Sequence, residues 1–149
     1  MPTLTNADIL EAWRQCKRVL LSLTPQQIED EFYMGSWGDR VVEAEGCNTT
    51  YCAGGWCALD PWFNAKGLIG RFVTHSGTKE WFTFLDADGN KLSDNQAICR
   101  VFGPEEGPYS WEEVFFSTFL SFQGVLDKVD EMISHYQGEY NADFNATHG

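Results

Sequence analysis

Positive charge is scarce in this sequence. Its 149 residues include 10 Lys and Arg against 22 Asp and Glu, which gives a net charge of −12. A protein that binds the phosphate backbone of nucleic acids needs the opposite balance. The composition therefore argues against direct binding of nucleic acid.

The sequence also lacks any apolar run of the roughly 18–20 residues that a membrane-spanning helix requires. Residues 1–24 do not resemble a signal peptide, because charged residues such as Asp8, Glu11 and Arg14 interrupt the segment that would have to be apolar. We therefore expect a cytoplasmic protein that does not contact a membrane.

Repeats, low-complexity linkers and glycine-rich phosphate loops are absent from the sequence as well. With 43% hydrophobic and 15% aromatic residues, a chain of this length can bury a core. We expect one globular domain over residues 1–137. Residues 138–149 show no apolar period, so we expect them to form a flexible C-terminal tail.

Helix-capping signals precede several stretches whose apolar residues have helical spacing. The first begins at Thr5 and Asp8, a capping-box pattern that predicts a helix over about residues 6–22. Its apolar stripe has the spacing 4, 3 and 4, formed by Ile9, Trp13, Cys16 and Leu20. Further capping patterns begin at Thr24, Ser93 and Ser110, and the spacing of Val125, Val129, Met132 and Tyr136 predicts a last helix over about residues 122–136.

The middle of the chain has mixed signals. Aromatic and β-branched residues on both sides of Ser76-Gly77-Thr78 predict a β-hairpin over about residues 70–86, closed by a turn at residues 86–90. We interpret residues 32–46 as a loop with a short extended piece at residues 40–42, followed by a helix from about Thr50. The predicted fold class is α+β, mainly α, with five or six helices and one small hairpin.

Residues 32–59 resemble a group of uncharacterised small proteins from phages and bacteria. The resemblance rests on Phe32-Tyr33-Met34-Gly35-Ser36-Trp37-Gly38, followed after a gap by Cys47-Asn48-Thr49-Thr50-Tyr51-Cys52-Ala53-Gly54-Gly55-Trp56. The shared pattern is approximately FxMxxWG and then CxTxxCxxGW. This chain departs from it at Asn48, Gly54 and the additional Cys57. The resemblance implies a phage or prophage setting and no particular mechanism.

Five cysteines leave several interpretations open. Cys16 and Cys99 fit small buried side chains. Cys47, Cys52 and Cys57 have C-x4-C-x4-C spacing, unlike the usual zinc knuckle. In one interpretation Cys52 packs in the core and Cys47 lies near a helix start. In others, Cys47 and Cys52 form a disulfide, or the three cysteines build a metal- or ligand-binding module with His75. A cysteine-dependent enzyme with Cys47 as nucleophile is a further alternative. We assign no metal, cofactor or catalytic residue.

The acidic residues concentrate in the last third of the chain. Residues 101–149 contain nine acids and one base, Lys128. We predict a non-enzymatic accessory protein that binds and occludes a host protein with a basic surface, as an anti-defence factor or nucleic-acid mimic. A second copy of the chain is an alternative partner. The predicted partner-binding residues are seven acids and three aromatic anchors: Glu105, Glu106, Glu112, Glu113, Asp127, Asp130, Glu131, Trp62, Phe63 and Trp111.

Overall fold

A computed structural model describes residues 4–32, 34, 38–41, 48–75, 79–104, 109–115 and 120–148. Over these ranges the chain forms seven helices and five strands and is mainly helical, which confirms the predicted α+β class. The elements are α1 (Asn6–Leu21), α2 (Pro25–Asp30), β1 (Gly38–Val41), β2 (Asn48–Tyr51), α3 (Ala53–Leu59), α4 (Pro61–Ala65), β3 (Ile69–His75), β4 (Lys79–Leu85), β5 (Lys91–Leu92), α5 (Asp94–Phe102), α6 (Glu112–Phe115) and α7 (Phe122–His148).

Three of the predicted helix starts are confirmed as capping boxes. At α1 the Thr5 hydroxyl accepts from the Asp8 N–H at 3.1 Å, and the Asp8 carboxylate accepts from the Thr5 N–H at 2.9 Å. The same reciprocal pair begins α2 at Thr24 and α5 at Ser93. These bonds satisfy N–H groups that have no partner within the helix, so they fix where each helix begins.

The core forms where α1 packs against α7. The predicted stripe of α1 is buried, and so are Val125, Val129, Met132 and Tyr136 of α7. Polar pairs along the edge show that the two helices run antiparallel. Asn6 donates to Asp143, Arg14 donates to Gln137, and Lys17 pairs with Asp130 at 2.6 Å.

Helix α7 extends beyond its predicted end. It begins at Phe122 as predicted, but it continues past Tyr136 to His148. The prediction that this helix ends at about residue 136 was therefore wrong, while the flexibility predicted for residues 138–149 stays a prediction. Residues 138–146 are exposed, so the helix has no buried face there that would give an apolar period. The hydrogen bond from Asn6 to Asp143 and the i, i+4 hydrogen bond from Gln137 to Asn141 stabilise this part of the helix.

The extension of α7 gives a direct stability prediction. Gly138 is exposed in mid-helix, and a Cβ added there meets no atom within 4 Å. Gly138→Ala should raise the free energy of unfolding by about 0.5–1 kcal/mol, because glycine costs that much in a helix. Urea denaturation measures the change. The control is Gly89→Ala, equally open but at φ +86°, which should lower stability. A loss of stability in Gly138→Ala would contradict the helical assignment.

The predicted hairpin is confirmed as β3 and β4, which pair from Ile69–Leu85 to His75–Lys79. The short strand β5 adds a third antiparallel member that the sequence pattern did not predict. The predicted turn before β5 is also confirmed. The Asp86 carboxylate accepts from the N–H groups of Asp88 and Asn90, each at 2.9 Å, and so closes the turn.

The region before α3 matches the prediction only in part. The extended piece predicted at residues 40–42 is found in β1, which includes residues 40 and 41, while residue 42 lies outside the described residues. Residues 38–41 and 48–51 pair as the antiparallel strands β1 and β2, so the helix expected from Thr50 begins only at Ala53. The threonines and tyrosine at residues 49–51 favour strand over helix, which accounts for the shift. Within α3, Gly54 and Gly55 are buried where the helix packs against α1 and β3.

Candidate functional site

Three of the predicted partner-binding acids lie on the exposed side of α7. Asp127, Asp130 and Glu131 are all exposed, while Val129 and Met132 between and beside them are buried. Asp127 and Glu131 are four residues apart and therefore share one helix face. That face is opposite the buried stripe. We call these three acids, together with the exposed Glu113 of the neighbouring helix α6, the acidic face.

Basic side chains balance only part of the acidic face. Lys17 pairs with Asp130 at 2.6 Å, and Lys128 pairs with Glu131 at 3.6 Å. Asp127 accepts a hydrogen bond from Gln123 at 3.0 Å, which leaves its negative charge in place. Exposed ion pairs of this kind are weak and are screened by salt. The helix therefore presents net negative charge.

A short segment carries two further acids to the side of α7. The hydroxyl of Tyr136 donates to the carbonyl of Tyr109 at 3.0 Å, and the Tyr109 ring stacks on His135 with centroids 3.7 Å apart. These contacts hold residues 109–115 against α7. In α6, Glu113 is exposed and Glu112 is half-buried. Glu105 and Glu106 lie outside the described residues.

Two of the three predicted aromatic anchors are core residues instead. Phe63 and Trp111 have no exposed surface, so neither can contact a partner in the folded protein. The ring of Phe63 stacks on Phe102 at 5.5 Å. The third anchor, Trp62, is partly accessible. Trp62 is half-buried and packs edge-on against Phe63 at 4.9 Å.

The cysteine alternatives find little support in the described residues. Cys16, Cys52 and Cys57 are free and fully buried, as expected for core side chains. Cys52 also caps α3, since its sulfur accepts from the Gly55 N–H at 3.5 Å. No group of three metal-ligating side chains occurs in the part of the chain that the structure describes. Cys47 and the His75 side chain fall outside that part.

The buried thiols are poor nucleophiles. Burial raises the pKa of the Cys52 thiol to about 12. Burial, together with a hydrogen bond to Cys16, also raises the pKa of the Cys57 thiol. Because the thiolate is the reactive form, neither residue is activated near neutral pH.

An alkylation experiment checks this conclusion. At pH 8 Cys99, which is half-buried rather than fully buried as the sequence suggested, should react with iodoacetamide faster than Cys16, Cys52 or Cys57. Peptide mass mapping over time measures the order. In denaturant the four rates should converge. Faster labelling of Cys52 or Cys57 in the native protein would restore the cysteine-centred hypotheses.

A groove of about 810 Å³ was not predicted from the sequence. It lies between the start of α1, the helix α4 and the second half of α5. Its lining includes Asp8, Trp62, Lys66, Cys99 and Arg100. The lining residues come from three elements that are distant in sequence, so no local motif could have predicted the groove. Of the ten predicted partner-binding residues, Trp62 lines this groove.

No protein-family model, curated protein or solved structure matches this chain. The resemblance of residues 32–59 to small phage and bacterial proteins therefore stays a prediction. None of the described helices combines the length and apolar character needed to cross a membrane.

Proposed function

We propose that this protein is a non-enzymatic, acidic accessory factor that binds a partner protein with a basic surface. The observation that carries the proposal is the position of Asp127, Asp130 and Glu131 on the outer side of α7. They add to a net charge of −12. Surfaces of one charge sign steer encounters with oppositely charged partners and raise the association rate.

The shape of α7 supports a protein partner rather than a small ligand at this surface. The helix has 27 residues, about 40 Å at 1.5 Å per residue, and its exposed acids Asp127, Asp130 and Glu131 do not line the groove between α1, α4 and α5. Small-molecule sites are concave and mostly apolar. A long charged helix is better suited to lie against or within a basic groove of another protein.

The kind of partner is a finer part of the proposal. A basic groove that accepts an acidic helix is typical of nucleic-acid-processing proteins, which bind phosphate backbones electrostatically. Occupying that groove would inhibit such an enzyme by competition. The resemblance of residues 32–59 to phage proteins supports a host enzyme, including one used in defence, as the target.

Neutralising the acidic face tests the proposal. The triple variant Glu113→Gln, Asp127→Asn and Glu131→Gln removes three charges from this surface and leaves the Lys17–Asp130 pair intact. In a tagged pull-down from host lysate, a partner retained by the wild type at low salt should be lost or strongly reduced. Raising the salt concentration should release the same partner from the wild type.

A matched variant separates local from global charge effects. Glu29→Gln, Asp88→Asn and Asp94→Asn remove the same number of charges from exposed positions elsewhere. This control should retain the partner as the wild type does. Equal retention by both variants, or equal loss from both, would contradict a specific role of the acidic face.

A further inference from the structure

The groove between α1, α4 and α5 has a charge pattern unlike the rest of the molecule. Two cationic side chains, Lys66 and Arg100, line it in a chain with only 10 Lys and Arg. The guanidinium of Arg100 reaches the backbone next to Lys66, since its Nη1 lies 4.0 Å from the position a Cβ would take at Gly67. Within the described residues, neither side chain forms an ion pair or a hydrogen bond.

The two acidic residues that line the groove, Asp8 and Glu11, form polar contacts with other residues of α1 or its N-cap. Asp8 completes the capping box with Thr5, which holds the pKa of its carboxyl below the ordinary value. Glu11 accepts from Gln15 at 2.9 Å and lies 4.0 Å from Arg14. The groove therefore offers two cations without hydrogen-bonding partners. Its two carboxylates keep their negative charge but have bonds within α1, and the charge of Lys66 contributes a smaller part of the lowered pKa of Asp8.

An apolar surface lies beside the two cations. Trp62 lines the groove, and the Lys66 ammonium lies 5.5 Å from the centroid of its ring. Ile9 and Val101 contribute aliphatic lining from α1 and α5. Pockets that hold small organic ligands have volumes of about 300–1,000 Å³ and combine such apolar walls with a few polar groups. The volume of about 810 Å³ falls in this range.

We propose that this groove binds a small organic anion, a carboxylate or phosphate attached to an apolar body. Lys66 and Arg100 contact the anionic group, and Trp62, Ile9 and Val101 contact the body. A guanidinium and an ammonium together match carboxylate and phosphate oxygens well. This binding is independent of the acidic face on α7.

Titration with simple probes tests the proposal. Octanoate carries an aliphatic body and naphthyl phosphate an aromatic one, while octylammonium has the chain length of octanoate with the opposite charge. At least one anion should bind with a dissociation constant of about 1 mM or tighter. The amide chemical shifts of Gly103 and Cys99 measure the binding during the titration. The anion with the lower dissociation constant shows whether the groove prefers an aliphatic or an aromatic body. Octylammonium should bind at least about tenfold more weakly than the stronger of the two anions.

Two charge-matched variants locate the binding. Lys66→Gln with Arg100→Gln should raise the dissociation constant about tenfold or more, because the variant removes both charge-assisted contacts to the anionic group. Lys17→Gln with Lys128→Gln changes the net charge equally, at residues that pair with Asp130 and Glu131 outside the groove, and should leave binding within about twofold of the wild type. No binding of either anion, equal binding of octylammonium, or equal effects of the two variants would overturn the proposal.

Discussion

Replacing Trp111 by alanine is expected to lower the free energy of unfolding by about 3–5 kcal/mol. The side chain has no exposed surface and packs near the ring of Phe115 in the core that α7 helps to enclose. Its removal loses the transfer free energy of a large aromatic group and leaves a cavity that neighbours fill only in part. Urea denaturation of the variant and the wild type measures the loss.

Trp62→Ala is the matched control for this prediction. Trp62 is the same residue type but half-buried at the groove, so its replacement should cost clearly less stability than Trp111→Ala. The comparison separates a core residue from an interface anchor. If Trp111→Ala left stability near that of the wild type while weakening partner binding, the original prediction of an anchor would be restored and the core assignment would be wrong.

Gly103→Ala is expected to destabilise the protein by about 2–4 kcal/mol, for two additive reasons. Gly103 caps the end of α5 with φ 87° and ψ −159°, a region that is essentially restricted to glycine. An added Cβ would also lie 2.8 Å from Cδ1 of Ile9, which belongs to α1. Thermal or urea unfolding measures the loss.

A double-mutant cycle with Ile9→Val separates the two reasons. Valine lacks the Cδ1 atom that the new Cβ would meet, so Gly103→Ala should cost less in the Ile9→Val background than in the wild type. The backbone strain should persist in both. Equal costs in the two backgrounds would show that the contact with Cδ1 of Ile9 contributes nothing to the loss.

The sequence predicted most successfully where the relevant signals are local. Capping boxes at Thr5, Thr24 and Ser93 and the apolar spacing of α1 gave helix starts and a buried face that the structure confirms. A capping residue acts within three residues of itself, so its effect can be read without knowing the fold. The hairpin of β3 and β4 was predictable for the same reason.

Features that depend on distant partners were missed. The pairing of β1 with β2 and the last turns of α7 rest on contacts with other elements, such as Asn6 with Asp143. Whether Phe63 or Trp62 faces the core depends on where α4 packs, which no local pattern gives. The groove requires three elements to meet. Among the predicted acids, exposure on α7 could be anticipated because helical spacing separates Asp127 and Glu131 from Val129.

The most direct test of the acidic face is its effect on the rate of association. With the captured partner immobilised, the wild type should associate faster than the Glu113→Gln, Asp127→Asn, Glu131→Gln variant by about tenfold at low salt. This advantage should shrink as the ionic strength rises and the Debye length falls below about 10 Å. Equal rates for the two proteins, or a difference that salt does not change, would contradict the proposed electrostatic role of α7.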